Sequence, residues 1–232
     1  MQYDEYYDDD YEDEDSGQEP DYISIPLPFM VIAAVLVLIF ALSRVELNIP
    51  AAAGDSVNLG RAAPSNGIIA PLFTPEVQYW AENIAAWSKE SGIDANLIAT
   101  VMQIESCGDP RAHSGVGAMG LFQVMPYHFE SGEDPYKPAI NALRGLDYLR
   151  SALEAREGVA RLGLAGYNGG ITGANRPESQ WASETQRYVY WGEGIYGDAV
   201  KGKASSERLA EWLGAGGASL CAQAAQRLGI QK

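Results

Sequence analysis

From residue 29 to residue 42 the chain carries no polar side chain, and this stretch decides how everything else can be organised. A membrane-spanning helix needs roughly 20 mostly apolar residues, and Ile23, Ile25, Pro26, Leu27 and Pro28 lengthen the run at its start. A helix that is apolar all round has no face to turn to water, which argues against a surface helix of a globular domain. A cleaved secretory signal would carry basic residues ahead of its apolar core. Here residues 1–22 hold eleven acidic residues, five Tyr and no Lys or Arg. Ala51, Ala52 and Ala53 offer a small-residue cleavage site, but the acidic flank favours an uncleaved anchor over residues 23–43.

The segment 1–22 cannot bury enough apolar surface to offset chain entropy and is expected to be a disordered acidic tail. It also explains the charge: of a formal net charge of -15, the tail carries eleven negative charges and leaves about -4 for the rest. Neither part has the basic surface that phosphate-backbone contacts require, so nucleic acid is not expected as a partner. Residues 44–73 are Ala, Pro, Gly, Ser and Asn with scattered apolar residues, and they show no periodicity. They read as a flexible linker.

From Thr74 onward the pattern turns helical. Thr74 is placed as N-cap and Pro75 at the first helical position, with Val77, Trp80, Ala81, Ile84 and Trp87 on one face and Gly92 ending the helix. Asp94 caps the next helix and Gly108 closes it. Further helices are expected over 138–157, with Ala142, Leu146, Leu149 and Leu153 as the stripe, then over 159–167, from a Ser183/Gln186 capping box through Trp191, and over 207–213 and 220–228. Strand alternation is absent. The expected architecture is a compact all-α domain over residues 74–232.

Within the second of these helices Ile98, Val101, Met102 and Glu105 share one stripe, so an ionisable group lies where the helix should be apolar. A carboxyl group that is partly desolvated, with no cation beside it, has its charged form penalised and its pKa raised. It can then donate a proton near neutrality, as a glycosidase general acid must. The bland alternative is a helix-end Glu paired with Arg111.

Four blocks stand in order around this residue: Gln103, Ile104, Glu105 and Ser106; the loop 114–126; Ala165, Gly166, Tyr167 and Asn168; and Glu184 and Thr185 with Tyr188. Together they resemble the soluble lytic transglycosylase family, over roughly residues 96–190. The resemblance implies a lysozyme-like, goose-lysozyme-type helical fold that cleaves the β-1,4 bond between N-acetylmuramic acid and N-acetylglucosamine in peptidoglycan. It makes Glu105 the single catalytic acid/base. That carboxyl would first protonate the glycosidic oxygen. Once ionised, it would accept the proton of the muramyl C6 hydroxyl as that oxygen attacks C1, leaving a 1,6-anhydro end. The substrate's own N-acetyl group stabilises the intermediate, so the second carboxylate of most glycosidases is not required. Asp109, Glu130, Glu133, Asp134 and Glu184 nevertheless all lie in the region.

In the loop, Gly115, Gly117 and Gly120 would let backbone approach a sugar ring, Ser114 and Gln123 would supply hydrogen bonds, and Met125 an apolar floor. Taken alone, Ser114 is equally a turn residue bonded to its own backbone. By resemblance the Tyr167 hydroxyl enters the cleft, although Tyr167 and Asn168 also read as a helix end. Tyr188 is a sugar or acid contact by resemblance and a core aromatic by spacing. Glu184 is a cleft carboxylate by resemblance and a first-turn residue favoured by the helix dipole by position.

Cys107 and Cys221 are the only cysteines, and outside the cytoplasm such a pair is expected to oxidise. His113 and His128 lack partners at metal-ligand spacing, and the acidic tail lacks a calcium-loop pattern, so no cofactor is implied. Arg44, the only basic residue near the apolar run, would nominally hold the following domain in the cytoplasm. Large domains translocate largely regardless of such a charge, and the implied substrate puts the catalytic domain outside a bacterial cell membrane. A hydrolytic muramidase of goose-lysozyme type and a non-catalytic wall-binding or assembly protein are the rival readings.

Overall fold

The computed structural model describes residues 69–230; the expected acidic tail, the anchor at 23–43 and residues 44–68 of the linker lie outside them. Among the described residues every regular element is helical, with two isolated β-bridges joining His113 to Met119 and Met119 to Val124. None of these helices is long and apolar enough to cross a membrane. In chain order they are α1 (Pro75–Gln78), α2 (Ala81–Ser91), α3 (Ala95–Ser106), α4 (Pro138–Glu154), α5 (Ala160–Gly169), α6 (Ser183–Val200), α7 (Glu207–Trp212) and α8 (Ala218–Leu228). Short 3-10 turns at Pro126–His128, Gly173–Asn175 and Glu178–Gln180 and a π turn at Leu213–Gly217 complete them.

Helix α3 is the axis of the domain. Asp94 caps it, its carboxylate accepting from the N–H groups of Asn96 at 2.9 Å and Leu97 at 3.2 Å. Of its twelve residues eleven are buried, and Glu105 is the exception. Helices α2, α6 and α8 pack against it, and α5 lies between α4 and α6. The apolar stripe of α4 (Ala142, Leu146, Leu149, Leu153) is buried as its spacing requires.

Several boundaries differ from the sequence reading. The helix expected from Thr74 to Gly92 is broken at Tyr79 and Trp80 into α1 and α2, and Thr74 makes no side-chain cap. Its hydroxyl instead donates to Gln103 Oε1 at 3.2 Å, while the Trp80 indole N–H reaches Gly108 O at 2.9 Å. Helix α3 ends at Cys107, in the left-handed region at φ 53°, one residue before Gly108. Helix α4 stops at Glu154 rather than 157, and α5 runs to Gly169 rather than 167. No Ser183/Gln186 capping box forms: Ala182 is the N-cap, and the Gln186 amide donates to Glu178 O and Trp181 O. The terminal pair begins and ends within a residue or two of expectation, joined by the π turn.

Residues 69–73, read as the end of the linker, belong to the folded domain, with Ile69, Ala70, Leu72 and Phe73 in the core. Their backbone is tied down from a distance: Ala70 N–H donates to Asn96 Oδ1 at 2.7 Å, Thr74 N–H to Gln103 Oε1 at 3.2 Å, and Gln78 Nε2 donates to Ala70 O at 2.7 Å. Polar side chains of helices thus replace the partners that a strand or helix would have given this irregular segment.

Cys107 and Cys221 form a disulfide that fastens α8 to the end of α3. Beside it, Arg227 makes a two-point contact with the Asp109 carboxylate, at 2.9 and 2.7 Å.

Candidate active site

The site begins where α3 meets the loop that follows it. Ser106 donates to Leu121 O at 2.7 Å, fastening the loop to the residue next to Glu105. Asn141 on α4 then clamps the loop from the other side. Its Oδ1 accepts from Phe122 N–H at 2.9 Å, and its Nδ2 donates to Met119 O at 2.8 Å and Pro135 O at 2.9 Å. The Tyr167 hydroxyl donates to Phe122 O at 2.7 Å. Gly120, at φ +74°, lies so close that an added Cβ would stand 2.4 Å from Asn141 Nδ2. Both the left-handed backbone and the close approach demand glycine here. Gly120→Ala is therefore expected to cost at least about 2 kcal/mol through strain and overpacking, visible as a lower urea midpoint with unchanged slope. A change below about 0.5 kcal/mol would mean that the clamp yields.

Glu105 is half-buried, and no ion pair among the described residues involves it; Arg111 is exposed and its backbone turns to Asp109. Burial is the main force on its carboxyl and pushes the pKa up to about 8, with a further rise from the Glu184 charge. Tyr188 opposes this. Its buried hydroxyl has no partner at full hydrogen-bond geometry, yet it acts on the carboxylate as a donor and lowers the pKa. Burial first and the Glu105 charge second hold the Tyr167 and Tyr188 phenols well above their usual range, so both stay neutral donors.

Two cavities open on either side of Asn168 and Gly169, which line both. The smaller, about 320 Å³, is bounded by Gln123, Met125, Tyr127, His128, Tyr148 and Tyr167. Its aromatic rings form a run, with centroids 4.6 Å apart from Tyr127 to His128, 4.7 Å from His128 to Tyr148 and 5.7 Å from Tyr148 to Tyr167. The larger, about 620 Å³, is bounded by Val116, Arg176, Trp181, Glu184 and Thr185. Glu105 lines neither cavity, but Tyr167 from the first feels its charge and Glu184 from the second acts on its carboxyl.

Of the residues singled out in the sequence, Gln123, Met125, Tyr167 and Asn168 line the smaller cavity and Asn168 and Glu184 the larger, while Glu105 and Tyr188 line neither and are linked to them through the interactions of the Glu105 carboxyl. Ser114 lines neither cavity; its Oγ accepts from Ala118 N–H at 2.9 Å, within its own loop. Gly120 is buried against Asn141 rather than exposed to a ligand. The sequence reading passed over Asn141 and Tyr148, although with Gly145 they recur at helical spacing as a second stripe on α4, beside the apolar one. In the sequence His128 stands out only as a possible metal ligand, and Arg176 and Trp181 carry no local signal. The one convergent set of metal-type donors among the described residues, Glu76 with Cys107 and Cys221, has both sulfurs tied in the disulfide, which leaves a single carboxylate.

The residues that build this region fall within a stretch that is similar to known proteins. Residues 82–189, which run from α2 through the Glu105 helix to the residue after Tyr188, match the family model described as the transglycosylase SLT domain. A protein of Enterobacteria phage PRD1 named transglycosylase is 40% identical over 111 residues, 47% of this chain and 40% of the relative. The chain therefore spans about two fifths of that relative's length. A solved structure of an inactive mutant of lytic transglycosylase Slt from Pseudomonas aeruginosa aligns at 23% identity and a TM-score of 0.43, over 54% of this chain and 24% of that one. On the family match and the phage relative, the chain carries a transglycosylase SLT domain at residues 82–189.

Proposed function

We propose that the chain is a peptidoglycan lytic transglycosylase that cleaves the bond between N-acetylmuramic acid and N-acetylglucosamine with Glu105 as its one acid/base. The observation that carries this reading is the position of Glu105, the one α3 residue that is not fully buried, with its carboxyl pushed up to about 8 by desolvation. At neutral pH it holds the proton that the leaving glycosidic oxygen must receive. Once that proton is given up, the carboxylate is a strong enough base to take the C6 hydroxyl proton as the anhydro ring closes. The neutral Tyr188 hydroxyl beside it steadies the charged form between the two transfers.

The other carboxylates of the region are mostly engaged. Asp109 is held by Arg227, Glu130 and Glu133 by Arg144, and Asp134 accepts from Tyr136 N–H. Glu184 alone is exposed in the larger cavity and close enough to act on Glu105. That observation supports the second reading, a hydrolytic muramidase in which Glu184 would activate water. Mass spectrometry of muropeptides released by the full chain separates the two, since 1,6-anhydro ends support the transglycosylase and reducing muramyl ends the hydrolase. In either case residues 23–43, by their apolar run, would hold the domain at a bacterial membrane with its cleft toward the wall.

The pH profile tests the acid directly. The free enzyme needs Glu105 protonated, so kcat/KM is expected to be flat up to about pH 7 and to fall tenfold per pH unit above an apparent pKa near 8. An alkaline limb beginning near pH 5 would show that the acid is an ordinary exposed carboxylate.

A further inference from the structure

We infer that the larger cavity, bounded by Arg176, is a subsite for a carboxylate on the peptide stem of the substrate, an inference that rests on the transglycosylase reading above. Arg176 is the only guanidinium or ammonium side chain lining either cavity among the described residues, and it forms no ion pair with a described carboxylate. In a stem-bearing strand the muramyl lactyl carboxyl is consumed in the amide to the peptide, so the sugar backbone itself is uncharged and a lone guanidinium gives it no charge complementarity. The anionic part of peptidoglycan is the peptide carried on the muramyl lactyl group. A guanidinium matches a carboxylate through two parallel N–H donors, which an ammonium cannot do.

The cavity wall is fixed in advance of binding. The Trp181 indole N–H donates to Arg176 O at 3.0 Å, and the Gln186 amide donates to Trp181 O at 3.0 Å and Glu178 O at 3.3 Å. Trp181 is itself buried, with the Arg161 guanidinium 5.6 Å from its ring centroid. A side chain carried on a braced loop spends less ordering entropy on its ligand. At about 620 Å³ the cavity has nearly twice the volume of its neighbour, room for a peptide branch beside the sugar ring. Glu184 lines the same cavity, and its charge acts on the Glu105 carboxyl. Its charge repels a carboxylate from the acid and keeps the anionic end of the branch at Arg176.

The test compares two substrates of equal chain length, both uncross-linked and with their stem amines acetylated: strands whose stem carboxylates are free, and the same strands with those carboxylates capped as methylamides, since removing the stems with an amidase would expose a lactyl carboxylate on every muramyl residue. The quantity read is the ratio of kcat/KM on free-carboxylate strands to kcat/KM on capped strands, for the full chain and for its Arg176→Ala and Arg176→Lys variants. Arg176→Ala is expected to lower this ratio about tenfold, mainly through KM on the free-carboxylate strands, with Arg176→Lys recovering only part of it. An unchanged ratio, or equal losses on both substrates, overturns the subsite while leaving the transglycosylase reading intact. Failure of the unaltered chain to cleave either strand overturns both.

Discussion

Glu105→Gln is expected to lose on the order of 10³-fold in release of muropeptides, and at the same time to become more stable than the parent above pH 8. The two effects share one cause. In the folded chain burial holds the carboxyl pKa at about 8, against an ordinary value of 4.5. Between these values the unfolded chain has released the proton while the folded chain keeps it, so stability falls as pH rises. Below pH 4.5 the carboxyl is neutral in both states and the cost is absent; above 8 it is fully present. The amide is neutral at every pH and has nearly the same shape. After a discount for partial exposure, the advantage of Glu105→Gln should grow from near zero at pH 4.5 to on the order of 3 kcal/mol at pH 8.5. Urea titrations at the two pH values measure it. Retention of activity within tenfold, or the same stability difference at both pH values, would remove Glu105 from the role of buried acid.

This trade between function and stability was partly visible in the sequence, because the signal was local. Asp94 as a cap and the spacing of Ile98, Val101, Met102 and Glu105 are relations within one helix, and they placed the acid. The environment came otherwise than expected. Helix α3 is buried on every side, so Glu105 marks the single opening in a sheathed helix rather than a polar interruption in one apolar stripe. Features decided by distant partners stayed hidden. Residues 69–73 lack periodicity because Asn96 and Gln103, more than 25 residues later, satisfy that stretch and its end. Trp80 breaks a helix that Thr74 and Pro75 announce, because its indole reaches Gly108. Ser183 and Gln186 have capping-box spacing, yet Gln186 is drawn back to the loop at Glu178 and Trp181. Ser114 shows the converse: its loop is self-contained, and its hydroxyl stays with Ala118. The family blocks indicate chemistry, but no local pattern reports which polar side chains face the cavity and which brace its wall.

Removing the disulfide by Cys221→Ala should cost about 4 kcal/mol, because the bond closes a loop spanning 114 residues of the unfolded chain. For a domain with total stability of roughly 5–15 kcal/mol, that loss is large enough to lower the melting temperature well below that of the parent. The effect on catalysis should be small. Glu105 lies two residues from Cys107, but the adjoining turn is held independently, by Ser106 to Leu121 O and by Gly108 N–H to Ser106 Oγ at 3.1 Å. Arg227 keeps its grip on Asp109 and still docks α8. At a temperature where both proteins are folded, kcat should therefore stay within about threefold of the parent, less than 1 kcal/mol in the barrier. The single variant leaves a buried thiol at Cys107, so the double variant Cys107→Ala/Cys221→Ala completes the argument. If chain restriction is the source of the stability, the double variant loses little more than either single one, since the first substitution already removes the cross-link. Additive losses would instead show that the two sulfurs act as separate packing groups, and a fall in kcat of a hundredfold at full folding would show that the bond positions the acid.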